Sequence, residues 1–304
     1  MNGWHRVFFL ALALPALFLA QTSRAEPGVL VLGRISDNPQ RHYDQLKPLL
    51  DYVVPRMAGV GIREGRILMA HDSSRMASYL RHGRVDWVTE TPAAGLRLID
   101  RADASVLLLT ERDGVARYRS QVFVRADSSV QTLADLRGRT IALQSPQSTS
   151  AYLLPAITLL KAGVPLEILP SPADRPRAGS AGYVFADSES NIAHWVGKGI
   201  VDAGAFSDRD LARWRAARPE APAIRVVGES PEAPRAMELV RGDLDESVRE
   251  RLSAVLLAAA DDPEAAEALQ YFFGTTGFRT PDAGDATDLA ALAAAARMTR
   301  EAIE

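Results

Sequence analysis

Short apolar runs alternate with stretches of helical periodicity from residue 29 to residue 110, and the alternation starts again at 120. Val29-Leu30-Val31-Leu32-Gly33 is a continuous apolar run of the kind a strand buried on both faces requires. Leu46, Leu49, Leu50, Val53 and Val54 then recur at helical spacing. Pro48 restricts that helix to a start close by, and Pro55 should end it. Further strands are expected at 67–70, 85–88 and 105–110, separated by a helix capped by Ser73 or Ser74 and closed by Gly83, and by a short helix at 92–99. This order predicts an α/β layer, an open sheet with helices on both faces.

The second half repeats the plan without a fixed period. Strands are expected at 120–125, 140–143, 166–169, 200–205 and 224–227. Helices are expected at 150–162, capped by Gly163, and at 187–199. The stretch 170–180 carries Pro170, Pro172, Pro176 and Gly179 and reads as a surface excursion, with a lid over a site as the less favoured alternative. The tail at 245–260, 263–273 and 287–297 is helical and Ala-rich. Two α/β lobes are therefore expected, the first from 26–118 and 224–304, the second from 119–223.

The N-terminus sets the compartment. His5 and Arg6 precede an uncharged apolar stretch from 7 to 20, and Ser23-Arg24-Ala25 places small residues where a signal peptidase needs them. The stretch is shorter than the roughly 20 residues that span a bilayer. Residues 1–25 are read as a cleaved signal peptide, which leaves a soluble exported chain. There is no Cys, so disulfides, thiolate metal sites, a Cys nucleophile and a lipidated N-terminus are excluded, and a periplasm is the expected home. The formal net charge of −3 argues against nucleic acid as a partner. Only Lys47, Lys161 and Lys198 are lysines, and the arginine excess is read as compositional bias, not as an anion-binding surface.

Catalytic motifs are lacking. His42, His71, His82 and His194 share no helical turn, and neither a Gly-x-Ser-x-Gly elbow nor a Walker loop occurs. The chain is expected not to be an enzyme and to need no metal or cofactor. Its strongest local signal is Ser145-Pro146-Gln147-Ser148-Thr149-Ser150-Ala151-Tyr152-Leu153-Leu154-Pro155, where hydroxyls follow a strand and open a helix. Such a helix terminus can hold an anion through its free N–H groups, or the hydroxyls can simply cap it.

That run resembles the "P-x-S-T-S-G-Y-x-x-P" segment of the phosphonate and phosphite periplasmic binding proteins. Other pieces are similar in order: Tyr118 to Ser128 ("Y-x-S", then "V-R-x-D-S"), Leu133-Ala134-Asp135-Leu136-Arg137-Gly138-Arg139, Gly199-Ile200-Val201-Asp202-Ala203, and Gly277-Phe278 with Asp282. The resemblance implies the type II periplasmic binding protein fold, two α/β lobes on a two-strand hinge closing on a small ligand for an ABC permease. A membrane-bound sensor is the alternative partner, and a monomer is expected. Carried onto this sequence, Ser148, Thr149 and Ser150 would grip an anionic group. Tyr43, Thr89, Glu90 and Thr91 would face it from the other lobe, and Asp202 would either contribute from the second or serve as a structural acid at the start of its strand.

Two departures bear on the ligand. Ala151 stands where the family usually has Gly, and Glu189 stands where it often has His. Glu189 is either a solvated acid in the first turn of its helix or, with Glu90, makes the site bipolar and favours an amine-bearing or weakly charged ligand over free phosphate. Export should leave a mature chain that begins at Glu26, which the intact mass of periplasmic protein checks.

Overall fold

The computed structural model describes residues 27–303, so the expected signal peptide lies outside the described residues. The chain runs through β1 (Val29–Ile35), α1 (Pro39–Arg56), β2 (Glu64–Ala70), α2 (Ser73–Arg81), β3 (Trp87–Glu90), α3 (Pro92–Ala102) and β4 (Ser105–Arg112). After β5 (Arg117–Tyr118) come β6 (Ser120–Arg125), β7 (Thr140–Leu143), α4 (Leu154–Lys161), β8 (Leu166–Ile168), β9 (Ala181–Phe185), α5 (Glu189–Gly197), β10 (Ala203–Ser207), α6 (Asp208–Ala217) and β11 (Ile224–Glu229). It returns through β12 (Ala233–Pro234) to β13 (Ala236–Val240), α7 (Glu246–Ala258), α8 (Ala266–Tyr271), β14 (Thr275–Arg279) and α9 (Ala283–Ile303).

Two six-stranded sheets result, ordered β14-β4-β13-β3-β1-β2 and β11-β6-β10-β7-β9-β8. In the first, β1, β2, β3 and β4 run one way and β13 and β14 the other. In the second, only β6 opposes the rest. Each sheet carries an apolar cluster on each face. Leu30, Leu32, Leu46, Leu50 and Trp87 lie on one side of the first sheet, and Val31, Met76, Leu80 and Val88 on the other. Leu143, Leu159 and Tyr183 oppose Phe123, Ile192 and Phe206 in the second. Full burial of one such side chain contributes about 1.5–3 kcal/mol, which is what holds the helices to the sheets.

Helix α1 shows packing overriding propensity. It starts at Pro39, behind the Asn38 cap, and passes straight through Pro48 instead of starting near it. A mid-helix Pro costs about 3 kcal/mol, and the burial of Leu46, Leu49, Leu50 and Val53 against the sheet outweighs it.

The lobe boundary differs from the sequence expectation. The strand Ile224–Glu229 belongs to the second sheet, paired with β6, and so does not open the return to the first lobe. The crossing is made by β5 and β12, which pair as a two-stranded ribbon of their own. Strand β9, which the sequence reading passed over, sits between β7 and β8. The excursion before it ties Arg177 to Glu167 and Arg175 to the hydroxyl of Thr140. Thr140 opens β7, so the excursion lies at the sheet edge away from Leu143 and is not a lid. Helix α9 packs on α3 of the first lobe and on α4 and β8 of the second, a third link between them.

Candidate functional site

The carboxyl ends of the parallel strands in open α/β sheets deliver loops and helix N-termini to one edge. Here the two sheets turn those edges toward each other. Ile35, Glu90 and Arg112 end strands on one side, and Leu143, Phe185 and Ser207 end strands on the other.

The hydroxyl run after β7 lies where the lobes meet. Ser148 caps the turn that follows by accepting from Ala151 N at 3.1 Å. That turn, Thr149–Leu153, is wide, closed by a bond from Leu153 N to Ser148 O. Thr149 reaches across: its Oγ accepts from Ala93 N, in the first turn of α3, at 2.7 Å. The Tyr118 hydroxyl on β5 lies beside the side chains of Thr149 and Ser150, which moderate the rise that burial gives it. Thr91 donates to Gln147 O from the first lobe, at 3.4 Å. Beneath these polar links, Ala93, Leu153, Ile157 and Ala296 make an apolar contact spanning both lobes.

Other expected site residues are placed elsewhere. Thr89 is fully buried and donates to Glu238, pointing into the sheet's core. Strand alternation explains this, because Trp87 and Thr89 share one face and both bind Glu238. The Glu90 carboxylate accepts from Ile35 N at 2.8 Å and faces Arg34 Nη1 at 3.6 Å, so it closes the edge between β1 and β3 and is not free to receive a ligand amine. Tyr43 is 43% exposed on α1, whereas its neighbour His42 turns inward to Ser36 and the Phe273 ring. Burial, then Arg34, pushes the His42 imidazole down to about 4. Asp202 sits at the opposite edge, where it accepts from Thr140 N at 2.9 Å and pairs with Arg139. It is a strand-start acid and is not brought to the cleft.

Glu189 opens α5 at the facing edge. It lines a cavity of about 230 Å³ with Phe206, Asp210, Arg213 and Trp214. Burial first, then the Asp210 charge, pushes its carboxyl up to about 7, while Arg235 and Arg213 oppose the shift. Arg213 bridges the lobes by donating to Asp113, in the turn between β4 and β5, at 2.7 Å.

Arginines are what the sequence reading missed. Arg34, near the end of β1, and Arg112, at the end of β4, stack on the Phe273 ring at 4.5 and 4.6 Å. Arg235, entering β13, stacks on Tyr118 at 4.8 Å. Three cations thus stand at the facing edge of the first lobe, so the arginine excess is not compositional bias alone. Their place at strand ends was the only signal available, and 32 arginines made it hard to see.

The phosphonate family of ABC-transporter periplasmic substrate-binding proteins matches residues 33–286. This chain belongs to that family. XAC2383 from Xanthomonas citri, solved bound to ATP, is 48% identical, with a TM-score of 0.86 over 91% of this chain and 100% of that one. The same protein bound to chloride ion gives a TM-score of 0.85, over 90% and 99% of the two chains. PhnD1 from Prochlorococcus marinus, in complex with methylphosphonate, shares the fold at 17% identity and a TM-score of 0.69, covering 91% and 100%. The family is a transporter's binding component, and its fold is the two-lobed type II arrangement seen here.

Two outcomes test these placements. Asp202→Ala should lower Tm, at a cost of about 1–2 kcal/mol for the lost bonds, and leave ligand affinity unchanged. Glu189 holds its proton more tightly folded than unfolded, because its carboxyl rises from 4.5 to about 7. Its contribution to stability therefore falls as pH rises through that window. Glu189→Gln should flatten the decline of Tm between about pH 5 and pH 8 and raise Tm by a few degrees at the upper end, read by thermal melts across pH.

Proposed function

We propose that this protein is exported, captures a small anionic ligand between its lobes and presents it to an ABC permease. The observation that carries this reading is the double attachment of the hydroxyl run. Thr149 accepts from Ala93 N of the other lobe, and Gln147 O accepts from Thr91 of that lobe, so recognition and closure share one element. Loss or gain of a ligand beside that element would be felt directly by the interlobe contact.

An anion is favoured over an amine-bearing ligand. Glu90, one of the two carboxylates that argued for an amine, is occupied by Ile35 N and Arg34. Three arginines face the cleft from the same sheet edge. The ATP and chloride found on a relative of 48% identity support the same choice. Among the described residues no helix is long and apolar enough to cross a membrane, in keeping with an exported binding component.

Thr149→Ala removes the interlobe acceptor while leaving every backbone donor in place. It should weaken binding of inorganic phosphate or ATP, whichever the parent takes, by about tenfold, near 1.4 kcal/mol. Small-angle scattering should show the parent compacting at saturating ligand. An unchanged radius of gyration with every anion tried, together with unchanged affinity in Thr149→Ala, would remove the closing-cleft reading.

A further inference from the structure

Arg112 is 7% exposed, yet no carboxylate among the described residues lies within ion-pair distance of it. Its Nε and Nη2 are buried without a hydrogen-bond partner, as are Nε of Arg34 and Nε of Arg235. Buried guanidinium N–H groups left unmade are costly, and a buried cation without a counter-charge more so. Each such group in a native protein calls for an explanation, and a bound anion is one that would satisfy both the donors and the charge.

The surroundings do not supply the missing charge. Arg34 is matched by Glu90 and by a bond to Thr89 O at 2.9 Å. Arg235 reaches Asp113 only at 3.9 Å, and Asp113 is already bonded by Arg213. Glu238 lies near Arg112 and offsets part of its charge, but its oxygens are bonded by Trp87, Thr89 and Thr110 at 2.7, 2.9 and 2.6 Å, so it gives the Arg112 guanidinium no hydrogen bond. His42, on the other side of Phe273, is held neutral by burial and Arg34. Burial, then Arg34, with Arg235 adding to them against Glu238, pushes the Arg112 guanidinium down to about 9. It remains a cation at neutral pH. The cations of this edge therefore outnumber the carboxylates that pair with them, and Arg112 is the one left without an ion pair.

Phe273 holds this arrangement. It takes a left-handed backbone, φ 58°, which a bulky L-residue adopts only when its surroundings impose it. The kink is fixed by Asp113 N donating to Gly274 O at 2.9 Å. The ring thereby supports two guanidinium groups that still repel each other enough to add to the lowering that burial gives Arg112.

Resting on the solute-capture reading above, we propose that Arg34, Arg112 and Arg235 form the anion-gripping subsite of the cleft and select a ligand bearing at least two negative charges on phosphoryl oxygens, a phosphate ester or a diphosphate, over monoanionic sulfonates and carboxylates. Arg112 supplies the unmatched charge and a forked pair of donors. Arg34 and Arg235 flank it. Tyr118, beneath Arg235, connects the subsite to Thr149 and Ser150 and so to closure.

Calorimetry in chloride-free buffer tests this on the mature chain with pyrophosphate, orthophosphate, methanesulfonate and acetate. Pyrophosphate should bind at least tenfold more tightly than methanesulfonate or acetate. Arg112→Met should lose at least tenfold in pyrophosphate affinity while the ligand-free Tm rises or holds, because the buried unmatched charge is gone. A purely structural arginine would instead lower Tm on removal. Arg235→Gln, with its side chain 12% exposed at the crossing, provides an independent loss of affinity should Arg112→Met fold poorly. Unchanged pyrophosphate affinity in either folded variant overturns the subsite, as does equal affinity for monoanions. A parent that compacts with another solute but binds none of the four anions also overturns it, and solute capture itself then stands.

Discussion

The hydroxyl of Thr149 satisfies a helix N-terminus that belongs to the other lobe. The first N–H groups of any helix lack partners within it, and an ordinary cap comes from the residue just before. Thr91, just before α3, provides no such side-chain bond. Its hydroxyl is turned across the cleft to Gln147 O instead. The first lobe thus leaves its helix terminus to be completed from outside, and the second lobe completes it with the Thr149 side chain. Lobe contact is written into backbone hydrogen bonding, which makes it directional where apolar contact alone would let the lobes slide.

Charge is distributed around this contact unevenly. On the second lobe the acids Glu189 and Asp210 lie close enough to raise the carboxyl of Glu189, and Arg213 draws them toward Asp113 of the first lobe. On the first lobe the cations outnumber the acids that reach them, and aromatic rings support the guanidinium groups, two on Phe273 and one on Tyr118, with Arg112 lacking any carboxylate in ion-pair reach among the described residues. A ring face stabilises a cation without neutralising it. The potential of the edge stays positive, and water exclusion on closure would strengthen it.

Much of the architecture was legible because its causes are local. The buried run at Val29 and the helical spacing after it placed β1 and α1, and the family motifs placed both lobes and the hydroxyl run. What escaped depended on partners distant in sequence. Ala181-Gly182-Tyr183-Val184-Phe185 is too short and too close to the Pro-rich excursion to stand out, yet it is the strand that joins β7 to β8. Strand β13 became visible only as the filler between β3 and β4. Thr89 was misplaced by one step of strand alternation, which periodicity over four residues cannot fix. Arg112 and Arg235 look like any other arginine in the sequence. Only burial beside Phe273 and Tyr118 separates them from the many arginines paired at the surface.

The position of Asp202 explains why a family motif can mislead about a site. Gly199-Ile200-Val201-Asp202 has a counterpart in the first lobe, Gly83-Arg84-Val85-Asp86. Both glycines take a left-handed backbone where a helix ends, φ 61° at Gly83 and 68° at Gly199. Both valines are buried, and both acids precede a strand. Asp86 accepts from Val31 N at 2.8 Å, and Asp202 from Thr140 N at 2.9 Å. In each lobe the receiving strand is the parallel neighbour of the strand the acid introduces. Each acid also holds an arginine, Arg241 and Arg139 respectively. The same chemistry twice, at the edges remote from the cleft, is the signature of a device that sets strand register. An acid at this place therefore reports the fold, and it lies at the opposite end of its strand from the edges where the two sheets face each other.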